Sequence, residues 1–368
     1  MLLKKIFLTL LVCLIFLNDG FCQNGVNSKI NTMAAEEYIK LIDIYDSAKA
    51  PEPNDWQSLF NSPIYMMMIS GGAFDTSKFK NETKNVFTSK HNDISDSSFS
   101  EKELYHRAYQ QNKEKLKNYI VRLKSDNLID SIKNLVFPFL PDRLRDDNLF
   151  PVLFYLNYGT PEASGDVGLV LNDLLFSYKV DQYKFGIVAA HESFHAIVST
   201  AFQRAVKEDV NHNSIEFKLF YFLETISQEG VADLIDKPLL EKPESPVFSE
   251  VTELLKDDQK LSIFYLKKLD SLFHKASSSK DALANYKDYN SLTAAFGKNG
   301  GHIPGRYMAK AIADAGLIQK FILEVEDPIS FFITYNLAAK SFNRNEYPIF
   351  CNKSIEYLMA LKDIYFKK

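Results

Sequence analysis

"AAHESFHAIVST" (189–200) decides how the rest of the chain is read. His191 and His195 stand four apart, with Glu192 directly after the first, inside a run of small and apolar residues that favours a helix. On a helix, positions four apart lie on one face, one turn above another, so both imidazoles can aim at a single point. Glu192 lies about 100° round from His191, wrong for a further ligand of the same kind but near enough to serve a metal-activated water as a base. With only 7 histidines in 368 residues, H-E-x-x-H arises by chance in about one such chain in a hundred, so its surroundings carry the weight. Val188, His191, His195 and Val198 make one stripe at helical spacing, which places both histidines on the face that should be buried. One buried histidine is ordinarily a satisfied core residue, but two in register beside an acid ask for another account.

A catalytic zinc needs a third protein ligand and one open position. Continuing the same helix to a glycine and a third histidine is excluded, because those places hold Val198 and Ala201. A second helix, "FYFLETISQEGVADLID" (220–236), offers a glutamate instead. Phe222, Ile226, Glu229 and Asp233 share its inner stripe, and a carboxylate on a buried face is costly unless it is paired or bound to a metal. Glu229 as ligand removes that cost. Asp233, one turn on, is placed to accept the free N–H of a ligating histidine. Glu224, about 140° round from Glu229, and His212, in the polar "EDVNHNS" (208–214), are rival third ligands, and the stripe favours Glu229 over both. The cysteines are Cys13, Cys22 and Cys351, too few for a disulfide framework or a thiolate zinc site, so a metal must sit on His, Asp and Glu.

The N-terminus, "MLLKKIFLTLLVCLIFLNDGFCQN" (1–24), runs from Lys4 and Lys5 into the apolar stretch Ile6–Leu17, which is too short to span a bilayer and has the order of a secretory signal. Residues 1–22 are therefore expected to be a leader cleaved near Cys22, leaving a periplasmic or secreted protein. Cys22 also raises a lipid anchor, but Asp19, Gly20 and Phe21 before it are a poor match to lipoprotein signals. A 46% hydrophobic content supports a sizeable core, and a net charge of −4 excludes an electrostatic case for nucleic acid. Residues 23–148 read as a helical region, with apolar residues at helical spacing in "AAEEYIKLIDIYDSA" (34–48) and "SEKELYHRAYQQNKEKLKNYIVRLKSD" (100–126), and "YMMMISGGAF" (65–74) turns at Gly71-Gly72. Two strand-like runs follow, "FPVLFYLNYG" (150–159) and "DVGLVLNDLLF" (166–176), and after the H-E-x-x-H helix further helices are expected at 215–236, 247–275, 303–317, 328–342 and 352–366. The fold class is α+β, predominantly helical, with a small sheet upstream of the H-E-x-x-H helix and a helical C-terminal part. Regions 23–148 and 149–368 are expected to form one unit with a soft seam near residue 148.

"HESFH" followed by "EGVAD" resembles the gluzincins, the thermolysin-like zinc metallopeptidases, and the chain is also similar to a bacterial family of zinc-dependent peptidases of unknown function. The resemblance covers about residues 150–320 and makes 149–368 a zincin-like metallopeptidase region. The segment between His195 and Glu229 is longer than in thermolysin. The resemblance implies one zinc ion per chain held by His191, His195 and Glu229, with Asp233 supporting a ligand histidine and Glu192 as general base to a metal-activated water. It also implies a His or Tyr downstream that stabilises an oxyanion. "GKNGGHIPGRYMAKAIADAG" (297–316) offers Tyr307 first and His302 second, and "VGLVLND" (167–173) resembles the edge strand along which such enzymes align an extended peptide. The implied reaction is hydrolysis of a peptide or protein substrate. The alternatives are a zinc-binding structural or binding protein, or a metallohydrolase of non-protein amides or esters.

Overall fold

The computed structural model describes residues 29–88, 99–125, 127–254, 258–296, 298–342 and 346–367. The expected leader, with Cys13 and Cys22, lies outside the described residues. Among the described residues no helix is long and apolar enough to cross a membrane. The chain divides into two units: residues up to Ile129 with 152–164 and 169–189, and 130–151 with 165–168 and 190–368.

The first unit is organised by a short sheet whose two central strands are buried. Strand β1 (Ile30–Asn31) pairs in parallel with β2 (Val152–Leu156), and β2 with β4 (Leu169–Asp173), while β3 (Ala163–Asp166) takes the far edge. Leu153, Phe154, Tyr155 and Leu156 are all buried, the continuous apolar run expected of a strand covered on both faces. The turn Val167-Gly168, with Gly168 at φ 74°, folds β3 back onto β4. Strand 167–173, expected at the edge, is therefore interior, and the short polar "ASGD" is the edge. That strand escapes a reading by hydrophobic alternation because it has almost no apolar residues to alternate.

Around the sheet lie α1 (Met33–Asp46), α2 (Pro53–Phe60), α3 (Pro63–Ser70), α4 (Thr76–Thr88) and α5 (Glu101–Ser125). Both α2 and α3 open on proline, which is tolerated where no intrahelical N–H bond exists, and Gly72 turns at φ 69° after α3. Helix α6 (Leu128–Val136) follows α5, and α7 (Leu174–Asp181) begins directly where β4 ends. Asp173 makes that junction: its buried carboxyl accepts from Tyr105 Oη (2.6 Å), Tyr109 Oη (2.7 Å), the Tyr158 amide (3.0 Å) and the Phe176 amide (2.9 Å). One side chain thus ends the strand, caps the helix and ties both to α5.

The second unit is helical. Helix α8 (Ile187–Ala205) carries the H-E-x-x-H stretch, and α9 (Ile215–Leu240) is its central element. Ser214 caps α9 by accepting from the Phe217 amide at 3.1 Å. Next come α10 (Phe248–Leu254), α11 (Asp258–Ala276), α12 (Tyr289–Phe296), α13 (His302–Asp314), α14 (Ile318–Ile322), α15 (Pro328–Ala339) and α16 (Asn352–Tyr365). Within the helix expected over 247–275, the described residues 248–254 and 258–275 are helical. The architecture is α+β and predominantly helical, as its sequence implies.

Helix α9 packs most extensively on α13, and the approach is set by glycine. A Cβ on Gly305 would land on the Ile226 carbonyl and the Gly230 backbone, and a Cβ on Gly230 would land on the Gly305 carbonyl. Gly301, at φ 104°, opens α13 hard against Ile226. Gly230→Ala or Gly305→Ala is expected to lower stability by about 1–3 kcal/mol through overpacking, read as a lower urea midpoint; an unchanged midpoint defeats the account.

His106 on α5 is fully buried, with Nδ1 2.6 Å from Tyr38 Oη and 3.2 Å from Asn157 Nδ2. Burial, with Lys102 adding to it, pushes its pKa from 6.5 down to about 4. The unfolded chain then binds a proton that the folded chain refuses, so stability falls as pH drops from 6.5 towards 4, by about 3 kcal/mol for this group. His106→Gln removes the titration, and urea unfolding across that window should show a loss shallower by that amount than in the wild type. Parallel acid limbs would refute it.

Candidate metal centre

Helix α8 brings His191 and His195 to one face, where both are buried at 6% and 7% exposure, and their Nε2 atoms stand 3.2 Å apart. Glu229 of α9 meets them: its Oε2 lies 3.2 Å from His195 Nε2 and 3.6 Å from His191 Nε2. Donor atoms bonded to zinc at about 2.0–2.1 Å in a tetrahedron are about 3.3 Å from one another. The three atoms therefore form a triangle of the size of one tetrahedral face. Glu229 Oε2 is buried without a hydrogen-bond partner, an expensive condition for a carboxylate oxygen unless a cation completes it. Two imidazoles and a carboxylate are also a donor set that zinc takes readily, so the residues present fit the metal.

Each imidazole has an acceptor behind it. His195 Nδ1 donates to Gln228 Oε1 at 3.0 Å, and Gln228 Nε2 donates in turn to Glu224 Oε1 and to Ser199 Oγ. His191 Nδ1 faces Asp236 Oδ1 at 3.3 Å. With the proton on Nδ1, Nε2 of both histidines would be bare and aimed at the same point, the arrangement in which an acceptor behind the ring sets the tautomer of a metal ligand.

The electrostatics follow from packing acid and base together out of water. Burial disfavours the charge on His195, but Glu229 beside it outweighs this and raises its pKa to about 9. Burial likewise opposes charge on His191, and Asp236 overcomes it, holding the ring well above the usual imidazole range. For Glu229, burial would raise the carboxyl, yet His195 and His302 hold it well below the ordinary range. Glu229 and the imidazoles stabilise one another's charged forms, the two imidazoles oppose each other, and a bound cation would take the place of the imidazole protons.

The downstream residues separate. His302, at the start of α13, has Nε2 3.2 Å from Glu229 Oε2 and Nδ1 3.1 and 3.2 Å from the two Asp233 oxygens. Tyr307, the first choice on sequence, is engaged elsewhere: its hydroxyl donates to the Glu346 carbonyl and its ring stacks on Tyr347 at 5.2 Å. It lies more than one helical turn beyond His302, so when the Gly305 contact seats the start of α13 on α9, His302 faces Glu229 and Tyr307 does not. Asp233 sits behind His302 rather than behind either histidine of α8, and Asp236 and Gln228 back those two. Asp236 continues the 222–226–229–233 stripe by three positions, a signal present in the sequence; Gln228 had none, since a neutral amide on a helix resembles any surface residue. Glu224 is buried and serves Gln228, and His212 packs its ring on Phe217 at 4.4 Å. Burial raises the Glu224 carboxyl to about 8.

Glu192 is half-buried beside its ligand-like neighbour, and the end of β3 runs close along its backbone. A Cβ on Gly165 would land on the Glu192 carbonyl, so only glycine lets the strand pass there. Asp166 follows, its carboxyl raised by burial and drawn back by His195.

Neither a curated protein nor a solved structure matches the chain. A family model, DUF5700, matches residues 56–344, from α2 to beyond α15, so the similarity takes in the N-terminal helices as well as the histidine–glutamate cluster. The chain belongs to this family, whose description is "Putative zinc dependent peptidase".

Proposed function

We propose that the protein is a zinc metallopeptidase of gluzincin type, with His191, His195 and Glu229 as metal ligands, Glu192 as general base and His302 as donor to the oxyanion. The observation that carries this reading is the convergence of two Nε2 atoms and one orphaned carboxylate oxygen, spaced at 3.2, 3.2 and 3.6 Å, with an acceptor behind each ring. A zinc ion bound there supplies Lewis acidity to a carbonyl and acidifies water.

The remaining work falls to the chain. Glu192 is one residue from a ligand, on the adjoining helical face, where its carboxylate can take a proton from the attacking water and pass it to the departing amine. His302, held between Asp233 and Glu229, keeps Nδ1 occupied and presents Nε2 beside the ligand oxygen, where an N–H can donate to oxygen charge as the carbonyl becomes tetrahedral. Burial opposes its charge, and Glu229 and Asp233 overcome this and raise its pKa, which favours the donor form. The leader-like N-terminus supports action outside the cytoplasm.

The purified protein should bind about one equivalent of zinc and cleave members of a mixed peptide library. Glu192→Gln should keep the zinc and lose about 10²–10⁴-fold in cleavage. A wild type that takes up no zinc after reconstitution, or a Glu192→Gln protein that cleaves as well as its parent, sinks the proposal. Separately, His302→Asn should keep zinc within a few-fold and lower kcat by about 10²–10³-fold. Loss of zinc with no separate loss of kcat would make His302 a ligand instead.

A further inference from the structure

Lys237 is buried in the last turn of α9, 9% exposed, and its ammonium is turned to two carboxylates of the same helix. Its Nζ lies 2.8 Å from Asp236 Oδ2 and 3.2 Å from Asp233 Oδ1. The other Asp236 oxygen faces His191 Nδ1 at 3.3 Å, and both Asp233 oxygens contact His302 Nδ1 at 3.1 and 3.2 Å. One ammonium therefore stands between the carboxylate behind a histidine of α8 and the carboxylate behind the histidine of α13.

A buried aspartate held only by one imidazole keeps its rotation about Cβ–Cγ and carries a charge with no fixed partner. Tying it to a cation removes both freedoms. Burial would strip the proton from Lys237, but Asp236 and Asp233 reverse that and keep it charged. We propose that Lys237 is a positioning residue that fixes Asp236 and Asp233 together, and through them sets the orientation of His191 and His302 as one unit. The inference rests on the reading of His191 as a metal ligand for its effect on zinc, but not for its effect on the two rings.

The test uses the full chain, zinc titrated against a competing chelator, and imidazole ¹⁵N and N–H resonances of the metal-free protein. Lys237→Met should weaken zinc binding about 10–100-fold, the range seen when the partner behind a ligand is lost, and should shift or broaden the Nδ1–H signals of both His191 and His302. Lys237→Arg, which keeps the charge, should recover most of the affinity. Wild-type affinity and unchanged resonances in Lys237→Met overturn the proposal, as does a change confined to one ring. Because Lys237→Met leaves two buried carboxylates without their cation and can fail to fold, Asp236→Asn supplies the second arm. It touches His191 and not His302, so a shift of the His302 Nδ1–H signal supports a shared ammonium and its absence refutes one. A wild type that binds no zinc defeats the metal reading while both resonance arms still judge Lys237; zinc binding with silent resonances defeats Lys237 alone.

Discussion

The site depends on acid buried along one face of a helix that is otherwise core. Glu229, Asp233 and Asp236 continue the stripe begun by Phe222 and Ile226, and Asp233 and Asp236 are 1% and 5% exposed. A carboxylate in such a place destabilises the fold by several kcal/mol unless something answers it. Asp233 is answered by His302 and Lys237, and Asp236 by His191 and Lys237, while Glu229 stands among imidazoles with its Oε2 left for a cation to complete. The same pairings that make the helix tolerable also align the Nε2 atoms, so stability and site geometry have one cause.

That cause explains what the amino-acid sequence disclosed. A repeat of positions on a helix is a property of the chain alone, so His191, His195, Glu229 and Asp233 could be placed on inward faces without coordinates. Which acid meets which imidazole depends on how α8, α9 and α13 cross, and the crossing is written in contacts between distant residues. Asp233 was expected behind a histidine of α8 and stands behind His302, because Gly230 and Gly305 let α13 close on α9 at that level. A helix opened by Pro304 puts Tyr307 in its first turn and so favours it over His302, but α13 begins at His302 and its direction sends Tyr307 towards Tyr347 instead. The edge strand β3 was missed for a related reason: its four residues carry no periodic apolar signal, and its place follows from pairing with β4.

The rings differ in what stands behind them, and the difference has an electrostatic logic. His191 is backed by a carboxylate, His195 by the neutral amide of Gln228. Behind that amide lies Glu224, a buried acid that no Lys or Arg reaches among the contacts of the described residues; burial raises its carboxyl to about 8, so near neutral pH it carries its proton. On the His191 side, by contrast, Lys237 keeps Asp236 ionised far below the usual carboxylate range. One flank of the centre is balanced by a cation and the other by holding a proton. Making Asp236 neutral as well would take away the charge that strengthens His191 as a donor, whereas ionising Glu224 would add a negative charge with no partner in a region already holding Glu229. The two flanks thus reach a low net charge by different routes, and the metal-facing atoms are left as the place where an added cation gains most.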